Sequence, residues 1–313
     1  MTSDRHSYTF GPVPSRRLGR SLGVDIIPFK VCSLDCIYCQ LGRTTEKSFE
    51  RRDFVPVDDV LAEISKKLQA GVQADFITIS GSGEPTLNIR MGEIIGRIKK
   101  ITDIPVAILT NGTLLWRPDV RADCAKADVV VPSLDAGNEE IFQRINKPAA
   151  GISFEKLMEG LCQFRQEYPG QIWLEVFMVQ NVNTSAQALE DIRTAIRRVN
   201  PDKIQLNTAV RPTAESNVER VSAEQMEQIA CFLGEKCEVV AAFQVEQRGK
   251  NVRRKVEDVL EMLQRRPCSL DDICAGLGIH RNEALKYLGN LQQRQLIERQ
   301  DRNGVIFFAA KRQ

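Results

Sequence analysis

Three cysteines, Cys32, Cys36 and Cys39, stand in the run Val-Cys-Ser-Leu-Asp-Cys-Ile-Tyr-Cys, separated by spacers of three and two residues. Such spacing lets one loop surround a single metal centre. Three thiolates match three irons of a 4Fe–4S cube and leave the fourth iron without a protein ligand. An open metal position is where a small molecule binds and reacts, the feature that separates catalytic from closed structural sites. The next cysteine is Cys124, so no fourth thiol closes the site locally. The competing reading is a set of buried or zinc-binding cysteines, but zinc calls for a fourth ligand.

A second group of polar residues falls at the ends of apolar runs. Gly81-Ser82-Gly83-Glu84-Pro85 follows one such run. Its glycines let backbone approach a bound group closely, and Glu84 is placed to accept from an ammonium group; the plainer reading is a strand-to-helix turn. Ser133 and Asp135 suit ribose hydroxyls or, equally, helix capping. Asn111 and Asn207 have the same location and the same alternative, a turn. Glu175 lies within an apolar strand, facing either a barrel interior or an exposed edge. Arg16, Arg17, Arg20 and Arg211 are candidates for a carboxylate or phosphate, against a solvated basic face. Cys124, Cys162, Cys231, Cys237, Cys268 and Cys274 fit no common cluster spacing. Cys162 and Cys231 read as small core residues, and an auxiliary cluster is the alternative.

The 313-residue chain is long enough for an α/β barrel-type domain and one small domain. Its net charge of +2 gives no global argument for nucleic acid or membrane. No run approaches the roughly 18 to 20 apolar residues that span a bilayer, and the first residues lack a secretion signal. Nine cysteines, an odd number, argue against a disulfide framework and for a reducing compartment. The chain therefore reads as cytoplasmic. With only His6 and His280 present, a zinc hydrolase or a Ser-His-Asp hydrolase is disfavoured.

The elements that must position these residues alternate from about residue 21 to 245. Strands are expected at Ser21–Pro28, Phe76–Ser80, Val106–Thr110, Asp128–Leu134, Ile172–Val179, Lys203–Leu206 and Val239–Val245. Helices are expected at Val57–Gln69, Ile89–Lys100, Phe154–Gln166, Ala186–Val199 and Ala223–Gly234. Apolar strands alternating with helices mean a parallel sheet covered by helices, curled by right-handed crossovers into an open or closed barrel. Chemistry is assembled at the C-terminal edge of such strands, where the cysteine loop and the polar residues fall.

Gln247 to Asn251 reads as a linker. Beyond it come helices at Val252–Gln264, Ser269–Ala275 and from His280 or Arg281 to Gln293, with Gly276-Leu277-Gly278 as a turn. Leu296–Arg299 and Val305–Phe308 form a hairpin around Asp301-Arg302-Asn303-Gly304. Three helices and a hairpin make a winged helix-turn-helix. The segment is mildly basic, and Arg281, Asn282 and Lys286 fall where a DNA-reading helix makes contact. Winged helices also bind peptides and proteins, so nucleic acid and a protein or peptide are both candidate partners, beside a purely structural role.

The cysteine triplet, with Tyr38 just before Cys39, resembles the cluster motif of radical S-adenosylmethionine (SAM) enzymes. Gly81-Ser82-Gly83-Glu84-Pro85 resembles that superfamily's glycine-glycine-glutamate segment, with Ser82 as a departure. Gly11-Pro12-Val13-Pro14-Ser15-Arg16-Arg17-Leu18-Gly19, Leu206-Asn207 and Arg211-Pro212 are similar to a poorly characterised group related to wyosine tRNA-base synthases. No cysteine precedes Cys32, so the second cluster of those synthases has no counterpart and their tRNA reaction is in doubt. The resemblance covers about residues 8 to 245 and implies a partial (β/α)6 TIM-like radical SAM barrel, a domain expected over 1–246; the winged helix read above is expected over 247–313. It implies a 4Fe–4S cluster on Cys32, Cys36 and Cys39. It implies SAM bound by Gly81, Ser82, Gly83, Glu84, Asn111, Ser133 and Asp135. The expected activity is reductive cleavage of SAM to a 5′-deoxyadenosyl radical that takes hydrogen from an unidentified substrate, RNA or a peptide or protein. A low-potential donor such as flavodoxin or ferredoxin would supply the electron. The alternative from another class is an iron–sulfur sensor that regulates DNA binding.

Overall fold

A computed structural model describes residues 7–15, 17–210, 213–241, 250–265, 267–277, 279–302 and 305–311. The chain opens with β1 (Thr9–Ser15) and β2 (Gly19–Val24), an antiparallel pair. Two short strands, β3 (Val31–Cys32) and β4 (Glu46–Lys47), pair in parallel across the cysteine loop. Strand–helix units follow: α1 (Val57–Gln69), β5 (Phe76–Ile79), a 3-10 turn at Pro85–Leu87, α2 (Met91–Ile101), β6 (Val106–Thr110), α3 (Pro118–Cys124) and β7 (Val129–Pro132). The series continues with α4 (Glu139–Asn146), α5 (Phe154–Glu167), β8 (Gln171–Met178), α6 (Ala186–Val199), β9 (Lys203–Thr208), α7 (Ala223–Leu233) and β10 (Cys237–Val239).

The resulting eight-stranded sheet runs β1-β2-β5-β6-β7-β8-β9-β10, in chain order and parallel from β2 onward. Among the described residues no pairing joins its two edges. Strands β5, β6 and β7 are apolar runs because helices cover one side and the inner wall the other. Polar residues at helix starts set where each crossover turns: Asn138, Ser153, Ser185 and Ser222 each accept a hydrogen bond from a first-turn backbone N–H. Helix α1 buries Val57, Val60, Leu61 and Ile64 and exposes Lys66. Such side chains contribute roughly 1.5–3 kcal/mol each when fully buried.

The C-terminal elements are α8 (Lys250–Arg265), β11 (Cys268–Ser269), α9 (Leu270–Leu277), α10 (Arg281–Gln293), β12 (Ile297–Arg302) and β13 (Val305–Ala310). The three strands form a separate sheet, β11-β13-β12. They pack with the helices around their own apolar cluster, which includes Val259, Leu263, Ile273, Leu288, Leu291 and Phe308.

Helices α1 and α6 and strand β6 match the sequence expectation end for end. The first expected strand is shorter, Gly19–Val24, because Asp25 begins the turn toward the cysteines. Strand β1 and helices α3 and α4 were not expected. The last strand is Cys237–Val239 rather than 239–245, of which 242–245 lie outside the described residues. Helix α9 runs through the expected turn to Leu277. Gly278, Asn303, Gly304, residues 247–249 of the expected linker and the 246/247 boundary also lie outside the described residues.

Candidate active site

The cysteine loop leaves the C-terminal end of β2 and is held by its own backbone. The amides of Asp35 and Ile37 donate to the carbonyls of Asn146 (3.0 Å) and Ile145 (3.0 Å), and the Ala149 amide to Ser33 (2.9 Å). Carbonyls at the end of α4, which lack partners within a helix, thus become the anchor of the loop. Each sulfur then meets a donor from another part of the chain. Cys32 Sγ lies 3.5 Å from Asn111 Nδ2 and 3.5 Å from the Leu34 amide. Cys36 Sγ lies 3.4 Å from Asn146 Nδ2, and Cys39 Sγ 3.1 Å from Lys30 Nζ.

Burial pushes the Cys32 thiol up to about 12, with the Glu84 carboxylate adding to the effect. Burial, and then Asp135, likewise hold Cys36 well above the ordinary thiol range. Burial keeps such thiols protonated, and a positive centre would have to draw the protons off for them to coordinate. Burial opposes a charge on Lys30, but the neighbouring sulfurs of Cys39, Cys32 and Cys36 outweigh it, so its pKa stands above the usual value. Lys30 takes a left-handed backbone conformation (φ 59°), costly for a residue with a Cβ. It is fixed there by its amide donating to Ser82 O (2.7 Å). Among the described residues no three His, Cys, Asp or Glu side chains converge on one metal ion. A cube takes one thiolate per iron, so its ligands stand further apart than those of a single ion. The donor set fits a cluster.

The Gly81–Glu84 segment lies beside this loop but is occupied by the protein itself. Glu84 is 2% exposed. Its Oε1 accepts from Thr86 N (3.1 Å), Thr86 Oγ1 (2.6 Å) and Thr110 Oγ1 (2.6 Å), and its Oε2 from Asn111 N (2.7 Å). Burial raises its pKa, against the pull of these bonds. In this arrangement Glu84 clamps the loop after β5 to the end of β6. The glycines need explaining by the chain as well: a Cβ on Gly81 would stand 2.0 Å from Asp25 Oδ1, and one on Gly83 2.0 Å from Val31 O. Ser82 donates from its amide to both oxygens of Asp25 (3.1 Å each) and from Oγ to Oδ2 (2.5 Å). Asn111 closes the link to the cysteines, with its Nδ2 also donating to Ser33 Oγ (2.8 Å).

Asp135, the expected ribose ligand, is held by three other segments of the chain. It is buried, and accepts from the hydroxyl of Tyr38, from Asn146 Nδ2 (2.7 Å) and from Phe177 N (2.9 Å). Burial raises its pKa to about 6. The same Asn146 amide group reaches Cys36, so Asp135 orients the cysteine loop from beneath. The Tyr38 ring stacks on Phe177, with centroids 3.9 Å apart. Ser133, half-buried, continues the sheet edge through its amide to Thr110 O (3.1 Å). Neither Ser133 nor Asp135 lines the cavity described next.

That cavity, about 360 Å³, opens over the strand ends and is bordered by Tyr38, Cys39, Ser80, Gly81, Phe177 and Asn207 among others. Glu175 faces it, as one of the two sequence readings has it. Glu175 pairs with Arg17 (2.7 Å) and accepts from Asn207 Nδ2 (2.9 Å). Arg17 is thus neutralised by Glu175 rather than open to a phosphate. Arg20 pairs with Asp75 at the surface (2.9 Å), away from the site. Arg16 and Arg211 lie outside the described residues. Cys231 is exposed rather than a core residue, while Cys124 and Cys268 are buried. Lys30 and Asn146 were missed from sequence. Lys30 offered a signal in standing two residues before Cys32; Asn146 offered none.

A family model described as the radical SAM superfamily matches residues 26–201. A UPF0026 protein of Helicobacter pylori (strain ATCC 700392 / 26695) is 32% identical over 99% of this chain and 100% of its own length. The chain therefore belongs to the radical SAM superfamily and, within it, to the UPF0026 proteins. A Brachyspira hyodysenteriae protein named GTPase Obg is 37% identical over 303 residues, 96% of this chain. The chain spans only 45% of that relative's length. Among solved structures, TYW1 with a lysine-pyruvate adduct bound shares the fold at a TM-score of 0.53 and 19% identity, over 68% of this chain and 72% of that one.

Proposed function

We propose that this chain is a radical SAM enzyme with a partial (β/α)6 barrel, in which Cys32, Cys36 and Cys39 hold a 4Fe–4S cluster with one open iron. A cluster so held supplies the electron for reductive cleavage of SAM, yielding a radical that takes hydrogen from a substrate. The observation that carries the reading is one loop bearing three cysteine sulfurs, each with its own N–H donor, of which Cys39 borders a cavity over the strand ends. Lys30, Asn111 and Asn146 would tune and orient the sulfurs, as outer partners do around metal ligands. Gly81 would border SAM, with Glu84 and Asp135 holding the loops that bind it. Tyr38 and Phe177 would exclude water from one wall. The electron would come from a low-potential flavodoxin or ferredoxin in the cytoplasm. Among the described residues no helix is long and apolar enough to cross a membrane. The elements after residue 246 are read as a winged helix-turn-helix. No feature of the described residues supports the sensor alternative.

The test is anaerobic. After cluster reconstitution, SAM and a strong reductant are added and 5′-deoxyadenosine is quantified. Product from the wild type, absent from Cys32→Ala, Cys36→Ala and Cys39→Ala, is the expected result. Equal product from any of these variants would overturn the assignment.

A further inference from the structure

The N-terminal end of α10 does not face outward. His280, its N-cap, is 5% exposed at the side chain and stacks on Phe10 of β1, with ring centroids 4.5 Å apart and planes within 13°. Its Nδ1 accepts from the Asn282 amide (3.2 Å), which leaves Nε2 as the nitrogen turned to Asp25, 3.2 Å from Oδ2. Asp25 is the same carboxylate that binds Ser82, so one buried group joins α10 to the Gly81–Glu84 loop. Arg281 lies over the Phe29 ring at 3.9 Å. Further along, Gln293 Nε2 approaches Val210 O (3.4 Å), and Arg299 Nη1 approaches Thr213 O (3.2 Å). The seating puts Asn282, Leu285 and Lys286 into the wall of the cavity that also contains Cys39, Gly81 and Glu175.

We propose that the C-terminal unit is the lid of the active-site cavity, latched through His280 and supplying Asn282, Leu285 and Lys286 as substrate-facing residues. The helix that one of the sequence readings gives to DNA contact is part of the reaction chamber when seated. A cavity of about 360 Å³ lies near the small end of small-molecule sites. The seated state therefore admits a small molecule, and a larger substrate needs the lid to open. The identity of the chamber rests on the radical SAM reading; the seating of the lid does not.

The test uses the full-length apoprotein and needs no turnover. Cys39, at the cavity rim, is labelled with a bulky maleimide, and its rate is compared with that of exposed Cys231 by peptide mass spectrometry. His280→Ala should raise Cys39 labelling about tenfold, the change in opening expected when a ring stack and a polar contact are both lost, with Cys231 unchanged. Phe10→Leu, made on the other side of the latch, should act in the same direction. Amide exchange at Leu288–Leu291, inside the C-terminal core, verifies that the unit stays folded in the variants compared. Unchanged Cys39 labelling in both folded variants would overturn the lid. If the wild type makes no 5′-deoxyadenosine but the labelling shift is present, the chemistry fails and the lid stands. If product forms and labelling does not shift, the reverse holds.

Discussion

Asp135 shows how a side chain can be legible by place while its partners are not. Its position at the end of β7 marked it for the site, but its partners Tyr38, Asn146 and Phe177 come from three other segments that no local pattern connects. The raised pKa has a consequence with a definite sign. The folded state holds the Asp135 proton more tightly than the unfolded chain, so this group stabilises the fold at low pH. That stability is lost as pH rises from the unfolded value near 4 through about 6. Urea unfolding of the apoprotein from pH 4 to 6.5 should reveal a fall on the order of 1–3 kcal/mol assigned to this group, absent in Asp135→Asn. A second expectation concerns the sulfurs. Asn111→Ala removes a donor from Cys32 while Asn111 N remains free to bind Glu84. Cluster content should be retained, with a reduction potential shifted negative, measurable by redox titration followed by electron paramagnetic resonance.

At the scale of elements, the strands were the most readable part. β5, β6 and β7 are mostly apolar, with Thr78 and Thr110 as the polar exceptions, because both faces are largely buried, a pattern that survives without neighbours. β1 escaped because Gly11, Pro12 and Pro14 break any period and its pairing is antiparallel at an edge. The short helices α3 and α4 carry ordinary starts, Pro118 and Asn138, but at 7 and 8 residues they are too brief for a periodic signal. The glycine segment was recognised, yet its glycines are required by Asp25 and by the Val31 carbonyl. Gly83→Ala should therefore destabilise the apoprotein by about 1–3 kcal/mol through forced backbone movement. A glycine needed only for a bound cofactor would leave apoprotein unfolding unchanged, so thermal denaturation without cofactor separates the two roles.

For the whole molecule, the sequence indicated two units and their order, but not that they share a cavity. His280 and Asp25 are 255 positions apart, and nothing local to either announces the other. The donors to the three sulfurs, Lys30, Leu34, Asn111 and Asn146, all precede the C-terminal elements. A chain lacking residues 252–313 should thus still take up about four irons on reconstitution, measured by iron and sulfide content. Failure of the soluble truncated protein to bind iron would mean that the C-terminal unit helps to shape the cysteine loop.

Among the described residues, the sheet that carries all this ends on one side in β1 and on the other in β10, three residues long. Pro12 and Pro14 give β1 two positions with no N–H to offer, and α10 packs against the same strand through Phe10 and His280. An open sheet ordinarily presents a rung on which another copy can stack. Here one side is chemically blunted and covered while the other is too short to template a ladder, so the curve can stay unclosed at high protein concentration without growing into a fibre.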